Sequence, residues 1–442
     1  TVFASKLSYK ISNLKNDNDK ELYKRTSIKL RAEHMDPTFL RDKIYSDILN
    51  SLGVPCAQNK FARVYINGDP IGLFDLSDSV SNNRYLRETL NNGNKFAIEN
   101  PIFKADYFPP VAWGDLGYYG TDPYKKKYGI YYYKGKSIED LDDDQAYGKN
   151  IETIRDYLIP FLKEIDGYPE NGFLNLDIEM FLKYMAMEFM SGAVDNYWNR
   201  PGNYYIMKNM NGDNGKWLFL DSDFHYTFGI GGDKLSKYLS ATIDNYSSVY
   251  DEDKIGSSRP LLDNIRKNPE NEQYFKNIFI RLINTAFHVD ALFPRIDSLA
   301  ELIKEDVAWD FTLPRVSGYT DSEDYHYTLN DFDKQINRVD KGCEKNYIIS
   351  LKCWIKNKGK NVASQFGIDY PSAPDYSLGI VETIVQNNES KASENRESSS
   401  ISDAQQHADN NSNDIKSGVE SFKNYRLTII ASIITLFAML LM

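Results

Sequence analysis

Apolar and polar residues in the first eighty positions follow a pattern that predicts a strand, a helix and then two antiparallel strands. The segment 27–32 (SIKLRA) has the alternation and the residue types of a strand. An Asp-Pro pair at 36–37 is typical of a helix start and Gly53 of a helix end, so we predict a helix over 37–52. Its apolar face repeats every four residues: Leu40, Ile44, Ile48 and Leu52. Two β-rich runs then flank an Asn-Gly pair at 67–68, which favours a type I′ hairpin turn.

Beyond the hairpin, the apolar spacing is mainly helical. Asp177 is placed to cap a helix that runs to about Val194, and the short strand-like runs YYIMK and KWLFL follow it. Residues 259–310 and part of 335–358 also have helical spacing. The acidic run at 140–144 is interpreted as a solvated turn and not as a metal site.

These elements predict an α+β fold made of two lobes with a cleft between them. We expect a β-rich N-terminal lobe over residues 1–80 and a mainly helical C-terminal lobe over 81–370. The chain has 442 residues, of which 41% are apolar, so it can fill one large or two medium domains.

The composition changes after the helical lobe. Ser, Asn, Asp, Glu and Gln dominate residues 376–425, which therefore bury too little apolar surface to fold, and we predict a disordered stalk. Residues 427–442 carry no charge but would span only roughly 24 Å as a helix, which is short for crossing a bilayer. They fit the tail of a glycosylphosphatidylinositol (GPI) attachment signal, with Ser417 or Gly418 as the attachment residue; Asn413 is less well spaced. A short tail-anchored helix is the alternative.

Three sequons of the type Asn-x-Ser, at Asn245, Asn388 and Asn410, fit a glycosylated extracellular chain. An exported chain that starts at Thr1 needs a signal peptide upstream of it. We therefore expect a protein of the secretory pathway and cell surface, held at the membrane by a lipid anchor.

Charge, histidines and cysteines narrow the functional classes. The net charge of −11 disfavours nucleic-acid binding, and the mean hydropathy of −0.53 excludes a polytopic membrane protein. The five histidines form no HExxH pair, which argues against a zinc hydrolase. Cys343 and Cys353 would close a short disulfide loop and leave Cys56 unpaired, or all three thiols are reduced; the sequence leaves both open.

The stretch 191–229 contains the residues that carry chemistry. Asp195 follows a predicted helix, and Asp221 and Asp223 follow a predicted buried strand. Phosphoryl transfer needs one carboxylate to accept the proton of the attacking hydroxyl and others to hold Mg²⁺ against the phosphates. Two-carboxylate glycosidase chemistry is an alternative, as is a purely structural role in helix caps and turns. No GxGxxG or Walker loop occurs in the sequence, which argues against ordinary protein kinases and P-loop enzymes.

Four runs together resemble the spore coat protein H (CotH) family in order and spacing: IKLRAEHMDPTFLRDKIYSDILNSLGVP, ARVYINGDPIGLFDL, VDNYWNRPGNYYIMK and WLFLDSDFHYTFG. The resemblance implies a reduced, atypical kinase-like fold that phosphorylates serines with ATP and a divalent metal, Mg²⁺ or Mn²⁺. It assigns Asp195 as the catalytic residue and Asp221 and Asp223 as metal ligands. Asn203 or Asn199 would supply a second metal contact, although the spacing differs from that of kinases.

In kinases a strand lysine grips the phosphates of ATP and pairs with a helix glutamate. Lys29 and Arg31 lie on one face of the predicted strand, so either is a candidate for ATP binding, and surface charges are the alternative. The predicted helix 37–52 has no glutamate, only Asp42 and Asp47, so an ion pair there would be altered.

A second reading comes from fungal members of the family, which resemble GPI-anchored surface invasins that bind host receptors. The stalk and the apolar tail fit that group. The partner is then a host or partner surface receptor, and in the first reading it is a protein substrate with Ser or Thr hydroxyls; neither involves nucleic acid. The tyrosine-rich segment 117–134 is either an adhesive surface or, as we favour, a β-rich insert that packs on the core.

Overall fold

A computed structural model of the chain describes residues 6–15, 23–212, 215–232, 235–249, 255–315, 326–340, 343–345 and 348–378. All of them belong to one compact unit, Thr1–Glu382. Within these ranges no helix is long and apolar enough to cross a membrane. The predicted tail and most of the predicted stalk lie outside the described residues, and so do Asn388, Asn410, Asn413, Ser417 and Gly418.

The strands form two four-stranded sheets and two short hairpins in the described part of the chain. The first sheet has the order β1-β2-β4-β3 and the second the order β10-β9-β5-β8, and neighbouring strands are antiparallel. The strands are β1 Tyr9–Ser12, β2 Ser27–Arg31, β3 Asn59–Ile66, β4 Asp69–Asp78, β5 Ile102–Ala105, β6 Tyr107–Phe108, β7 Ala112–Trp113, β8 Tyr131–Tyr133, β9 Tyr204–Lys208, β10 Trp217–Asp221, β11 Glu344–Lys345 and β12 Ile348–Ile349.

Helices make up most of the chain after the first sheet. They are α1 Arg41–Ser51, α2 Asn83–Leu90, α3 Asp143–Thr153, α4 Ile159–Asn171, α5 Ile178–Ser191, α6 Leu235–Ser240, α7 Pro260–Arg266, α8 Pro269–Asn284, α9 Val289–Thr312, α10 Leu329–Asn337 and α11 Leu351–Gln365. A π-helical turn, Ile154–Leu158, joins α3 to α4. The fold is therefore mixed α+β, as predicted.

The start of α1 was predicted wrongly. Asp36 does not cap the first turn of the helix; its carboxylate accepts hydrogen bonds from the amides of Thr38, Leu40 and Arg41 and closes a turn before the helix. Phe39 has a left-handed backbone (φ 59°) that no helix tolerates, so α1 begins only at Arg41. The predicted hairpin turn is confirmed, because Asn67 and Gly68 both have positive φ.

Two other boundaries differ from the prediction. Asp177 caps α5 as expected, but the helix ends at Ser191 and not near Val194. The acidic run at 140–144 is not a turn throughout, since Asp142 accepts a hydrogen bond from the Gln145 amide and caps α3. Acidic residues are favoured at this position because their negative charge complements the partial positive charge at a helix N-terminus.

The core is one large cluster of buried apolar and aromatic side chains that extends through both sheets and most helices. The tyrosine-rich segment 117–134 contributes to it, because Tyr128, Tyr131 and Tyr133 are at most 5% exposed, whereas Tyr124 is 67% exposed. Part of that segment therefore packs on the core, as expected, but it is not β-rich, because β8 is the one strand that the structure shows between residues 117 and 134.

Cys343 and Cys353 form a disulfide and Cys56 is a buried free thiol, which resolves the alternative left open by the sequence. The bridge ties the segment before β11 to the first turn of α11. The sequon residue Asn245 is exposed and directly precedes the short 3₁₀ helix Tyr246–Ser248.

Candidate active site

Asp195 lies in the loop that follows α5. Gly192 ends the helix in the left-handed conformation (φ 65°), and a Cβ there would come within 2.2 Å of the Trp354 ring. The chain can therefore turn closely against the core before it reaches Asp195. Asn203 Nδ2 donates to Asp195 Oδ2 at 3.0 Å, whereas Asp195 Oδ1 is buried without a hydrogen-bond partner among the described residues. One oxygen is held in place by Asn203, and the other has no hydrogen bond from the described residues.

Asp221 is the last residue of β10 and is 1% exposed. Tyr45 of α1 donates its hydroxyl to Oδ2 at 2.8 Å. Asn196 Nδ2 and the Ser222 amide both donate to Oδ1 at 2.9 Å. Both oxygens of this carboxylate thus have protein donors, and the residue connects α1, β10 and the loop that holds the neighbouring Asp195.

Asp223 has a left-handed backbone (φ 69°), which turns its side chain away from the direction of the strand. Arg31 Nη2 donates to its Oδ1 at 2.5 Å, and His225 Nδ1 contacts the same oxygen. No hydrogen bond among the described residues reaches Oδ2, and about a third of the side chain is exposed. Asp223, in contrast to Asp221, therefore has an accessible oxygen that accepts no hydrogen bond from the described residues.

The loop 195–203 and the segment 221–223 are joined by further hydrogen bonds. Asn196 Nδ2 also donates to the Ser222 carbonyl at 3.0 Å, and the Ser222 hydroxyl donates to the Asn203 carbonyl at 2.6 Å. Hydrogen bonds thus join Asp195 and Asp221 in one network. Asp223 follows Ser222 directly in the chain, and its side chain bonds Arg31 and His225 instead.

The three carboxyls differ in protonation. Burial raises the pKa of Asp195 to about 6, with His225 opposing and Asp223 reinforcing the shift. Burial also raises the pKa of Asp221 to about 7, although the hydrogen bonds from Tyr45 and Asn196 work against it. At Asp223 the charges of Arg31 and His225 outweigh burial and hold the pKa well below its ordinary value. Near neutral pH, Asp223 is anionic and Asp195 can accept and release a proton.

The guanidinium of Arg31 forms ion pairs with carboxylates. Its Nε lies 2.7 Å from Asp42 Oδ2, which links β2 to the first turn of α1, and its Nη2 bonds Asp223. Lys29 points to the same side of the strand, and no carboxylate among the described residues lies within ion-pair distance of its ammonium group. Burial, reinforced by the charge of Arg31, lowers the pKa of Lys29. Of the two candidates for phosphate binding, Lys29 is the unpaired cation.

The two candidate asparagines have different surroundings. Asn199 is fully buried: its Nδ2 donates to the Tyr246 carbonyl and its Oδ1 accepts from the Tyr238 hydroxyl. Its side chain is thereby committed to the core. Asn203 directs its amide nitrogen to Asp195, and none of the hydrogen bonds described above uses its side-chain oxygen.

Two cavities border this network. The outer cavity has a volume of about 330 Å³ and is lined by residues that include Tyr9, Lys10, Lys29, Arg31, Asp223 and His225. The inner cavity has a volume of about 30 Å³ and is lined by residues that include Lys29, Asp42, Asn59, Asp75, Asp221 and Asp223. Lys29, Arg31 and Asp223 line both, so the two cavities adjoin at these three side chains.

Sequence reasoning did not find Tyr45, Asn196 or His225. His225 had a detectable signal, because residues two apart in an extended segment project to the same side, and Asp223 is two residues before it. Asn196 follows Asp195 directly but nothing in its spacing points to Asp221. Tyr45 reads as one more buried residue of α1, and only the packing of α1 against β10 gives its hydroxyl a role.

Comparison with known proteins identifies the family of the chain. Three curated relatives come from the fungus Rhizopus delemar. The protein named Invasin CotH2 is 27% identical over 299 residues, covering 66% of this chain and 46% of its own length. Spore coat protein homolog 1 and Invasin CotH3 are each 24% identical over 66% of this chain and cover 44% and 46% of their own lengths. The chain spans less than half of each relative. A match to the family described as CotH kinase protein covers residues 2–343 and includes every acidic residue of the site, and the chain therefore belongs to the CotH kinase family.

Proposed function

We propose that this chain is a CotH-type atypical protein kinase that transfers phosphate from ATP to Ser or Thr hydroxyls of secreted or surface proteins. The observation that carries the proposal concerns Asp195 and its loop. Asp195 Oδ1 is buried without a hydrogen-bond partner among the described residues, and the loop is hydrogen-bonded to the segment that contains Asp221 and Asp223. The proposed lobes are residues 1–80 and 81–370, with the nucleotide between them.

In this mechanism the substrate hydroxyl oxygen attacks the γ-phosphorus of ATP. The bond from that phosphorus to the β–γ bridging oxygen breaks, and ADP leaves. The hydroxyl proton passes to Asp195 Oδ1. A pKa of about 6 suits this role, because the carboxylate is ionised at neutral pH yet basic enough to accept the proton as the new bond forms.

The donor set fits a Mg²⁺ or Mn²⁺ ion. Asp223 offers an anionic carboxylate with an oxygen that accepts no hydrogen bond from the described residues, and Asn203 offers a side-chain oxygen; both are ligand types that hard cations prefer. Asp221 is less suited as the main ligand, because both of its oxygens already accept protein hydrogen bonds. A bound divalent ion would neutralise negative charge on the phosphates. Lys29 would contact the phosphates, while Arg31 would fix the position of Asp223.

The test is transfer of ³²P from labelled ATP, as autophosphorylation and onto a pool of Ser/Thr peptides, with Mg²⁺ or Mn²⁺. Asp195→Asn should lower kcat by at least ~100-fold because the proton acceptor is lost, while ATP affinity stays unchanged. Asp166→Asn, which alters an exposed carboxylate on α4, is the matched control and should keep full activity. Equal incorporation by the Asp195 variant and the wild type would exclude this mechanism.

A second candidate function is that of a GPI-anchored surface adhesin or invasin that binds a host or partner receptor. It is favoured by relatives whose names are invasins and by aromatic side chains on the surface, such as Phe108 and Tyr124, which are 65% and 67% exposed. Beads coated with the protein should adhere to receptor-bearing cells. Replacing Phe108 and Tyr124 by serine should weaken adhesion, whereas Asp195→Asn should leave it intact; the reverse pattern would refute an activity-independent adhesin.

Placement at the cell surface through a lipid anchor is part of both candidates. Phosphatidylinositol-specific phospholipase C should release the native protein from intact cells. Release should fail when Ser417 and Gly418 are replaced together by bulky residues, and retention of a phospholipase-resistant protein would favour a short membrane helix.

A further inference from the structure

Three carboxylates from the first sheet, the segment after β2 and the start of α1 meet beside Arg31. Glu33 follows β2 with a left-handed backbone (φ 50°), Asp42 lies in the first turn of α1, and Asp75 lies on β4 directly opposite Arg31 in the strand register. All three residues are buried, and one oxygen from each lies within 4.8 Å of the others. Three different segments of the chain therefore bring their carboxyl groups close together.

Most oxygens of this group have no partner among the described residues. Both oxygens of Glu33, Oδ1 of Asp42 and Oδ1 of Asp75 are buried and accept no hydrogen bond. Arg31 supplies one close contact, to Asp42 Oδ2 at 2.7 Å, and lies 3.6 Å from Glu33, while its outer nitrogen bonds Asp223. The single positive charge of Arg31, which is also shared with Asp223, does not balance three buried carboxylates. A buried charge without a partner is costly in free energy.

A neutral side chain also directs an oxygen without a partner to this place. Asn59 is 7% exposed, and its Nδ2 donates to Asp75 Oδ2 at 3.1 Å. Its Oδ1 is buried without a hydrogen bond, and Asn59 lines the inner cavity together with Asp42 and Asp75. The cavity volume of about 30 Å³ has room for one ion or one to two waters. Glu33 lines the adjoining outer cavity and approaches the other two carboxylates from there.

We infer that Glu33, Asp42, Asp75 and Asn59 form a binding site for one divalent cation, distinct from the metal proposed at Asp223. The ligands are all oxygens, the set that Mg²⁺, Mn²⁺ and Ca²⁺ prefer and that zinc or copper sites rarely use alone. The ion would balance the excess negative charge and hold β2, β4 and α1 together. It would thereby fix Arg31, which in turn positions Asp223. Only the effect of Arg31 on Asp223 rests on the proposed function.

Protonation is the competing way to neutralise the group. Burial raises the pKa of Asp75 to about 7, and burial together with neighbouring carboxylates raises the pKa of Glu33 well above its ordinary value. Without a cation, one or more of these carboxyls would therefore carry a proton near neutral pH. The two possibilities differ in their response to added metal.

The first experiment measures metal binding by the full-length protein. The protein is dialysed against chelator and then titrated with Mg²⁺, Mn²⁺ or Ca²⁺ at pH 7.5 without nucleotide. We expect Asp75→Asn to bind one ion per chain fewer than wild type, and Asp223→Asn to retain the interior ion. Equal stoichiometry in wild type and Asp75→Asn, or no binding of any of the three ions by folded wild type, overturns the inference.

The second experiment measures thermal stability and does not depend on activity. With chelator, Asp75→Asn and Glu33→Gln should melt at or above the wild-type temperature, because each replaces a buried carboxyl that without a cation must either stay charged or take up a proton. With metal at one hundred times its Kd, wild type should gain roughly 3 °C by mass action and the variants should not. A gain of the same size in both variants would show that the ion binds elsewhere.

The two proposals fail in different ways. If the kinase proposal is wrong, no ³²P is transferred but the metal titration still separates Asp75→Asn from wild type. If the interior site is wrong, phosphate transfer with Mg²⁺ still depends on Asp223 while Asp75→Asn binds metal like wild type.

Discussion

Replacing Tyr45 by phenylalanine removes one hydroxyl group from the centre of the site and almost nothing else. Tyr45 is fully buried and its ring stacks on Phe224 with centroids 3.9 Å apart, a contact that phenylalanine keeps. The lost group is the donor to Asp221 Oδ2 at 2.8 Å. Asp221 keeps its other donors, so the change isolates one hydrogen bond to a titrating carboxyl.

The cost of this change depends on pH. A hydrogen bond to a charged group contributes about 1.5–3 kcal/mol, and a neutral one about 0.5–1.5 kcal/mol. The hydroxyl stabilises the ionised form of Asp221, whose pKa in the folded protein is about 7. The full loss therefore applies above pH 7, where the carboxylate is ionised, and shrinks below it, where Asp221 is protonated in wild type and variant alike. For a folded unit of this size, about 2 kcal/mol corresponds to a fall in Tm of roughly 2–3 °C.

Thermal unfolding at pH 5.5 and 8.5 measures the difference. Tyr204→Phe is the matched control, because Tyr204 is also fully buried but donates to a neutral acceptor, the Gly114 carbonyl at 2.6 Å. Its cost should be the same at both pH values. If Tyr45→Phe destabilises the protein equally at pH 5.5 and 8.5, the raised pKa of Asp221 or its pairing with Tyr45 is refuted.

Three further predictions concern other parts of the chain. The rate of phosphate transfer should rise with pH along a limb with an apparent pKa near 6, because Asp195 must be ionised to accept the proton; a rate independent of pH from 5 to 8 would contradict this. Replacing both Cys343 and Cys353 by serine should lower the free energy of unfolding by about 2–3 kcal/mol, since the bridge closes a loop with a sequence separation of 10, and denaturant titration would measure it. Gly192→Ala should lower the free energy of unfolding by about 2–5 kcal/mol, because the new Cβ would meet the Trp354 ring at 2.2 Å and alanine is strained at a φ of 65°; an unchanged denaturation midpoint would contradict the packing.

Local sequence signals predicted much of the fold because they act over a few residues. The Asn-Gly pair fixed the hairpin between β3 and β4, and Asp177 fixed the start of α5, since turn and cap preferences depend on neighbouring backbone groups alone. The start of α1 was predicted wrongly because it depends on packing and not on neighbouring residues alone. Asp36 and Pro37 look like a helix start, but the positive φ of Phe39 is imposed by the packing of that turn and leaves no trace in local preferences.

The candidate site was predicted in part. Asp195, Asp221 and Asp223 were found because they are acidic residues beside predicted apolar elements. Two partners of these carboxyls could not be predicted because they come from β2 and α1 and meet the site only in the folded chain: Arg31 contacts a residue 192 positions away and Tyr45 one that is 176 positions away. The different environments of Asp221 and Asp223 also depend on burial and neighbours and cannot be inferred from two identical side chains.

Arg41, the first residue of α1, is completely buried, and its guanidinium donates to the carbonyls of Phe228 and Ile349 and to the Asp36 carboxylate. In protein kinases, outward movement of a helix beside the nucleotide switches the enzyme off. Outward movement of α1 would separate the buried Arg41 cation from the Phe228 and Ile349 carbonyls, at a cost of several kcal/mol. We therefore expect α1 to stay in place whether or not ligands are bound, so that the proposed kinase activity would not be controlled by an on–off transition of this helix.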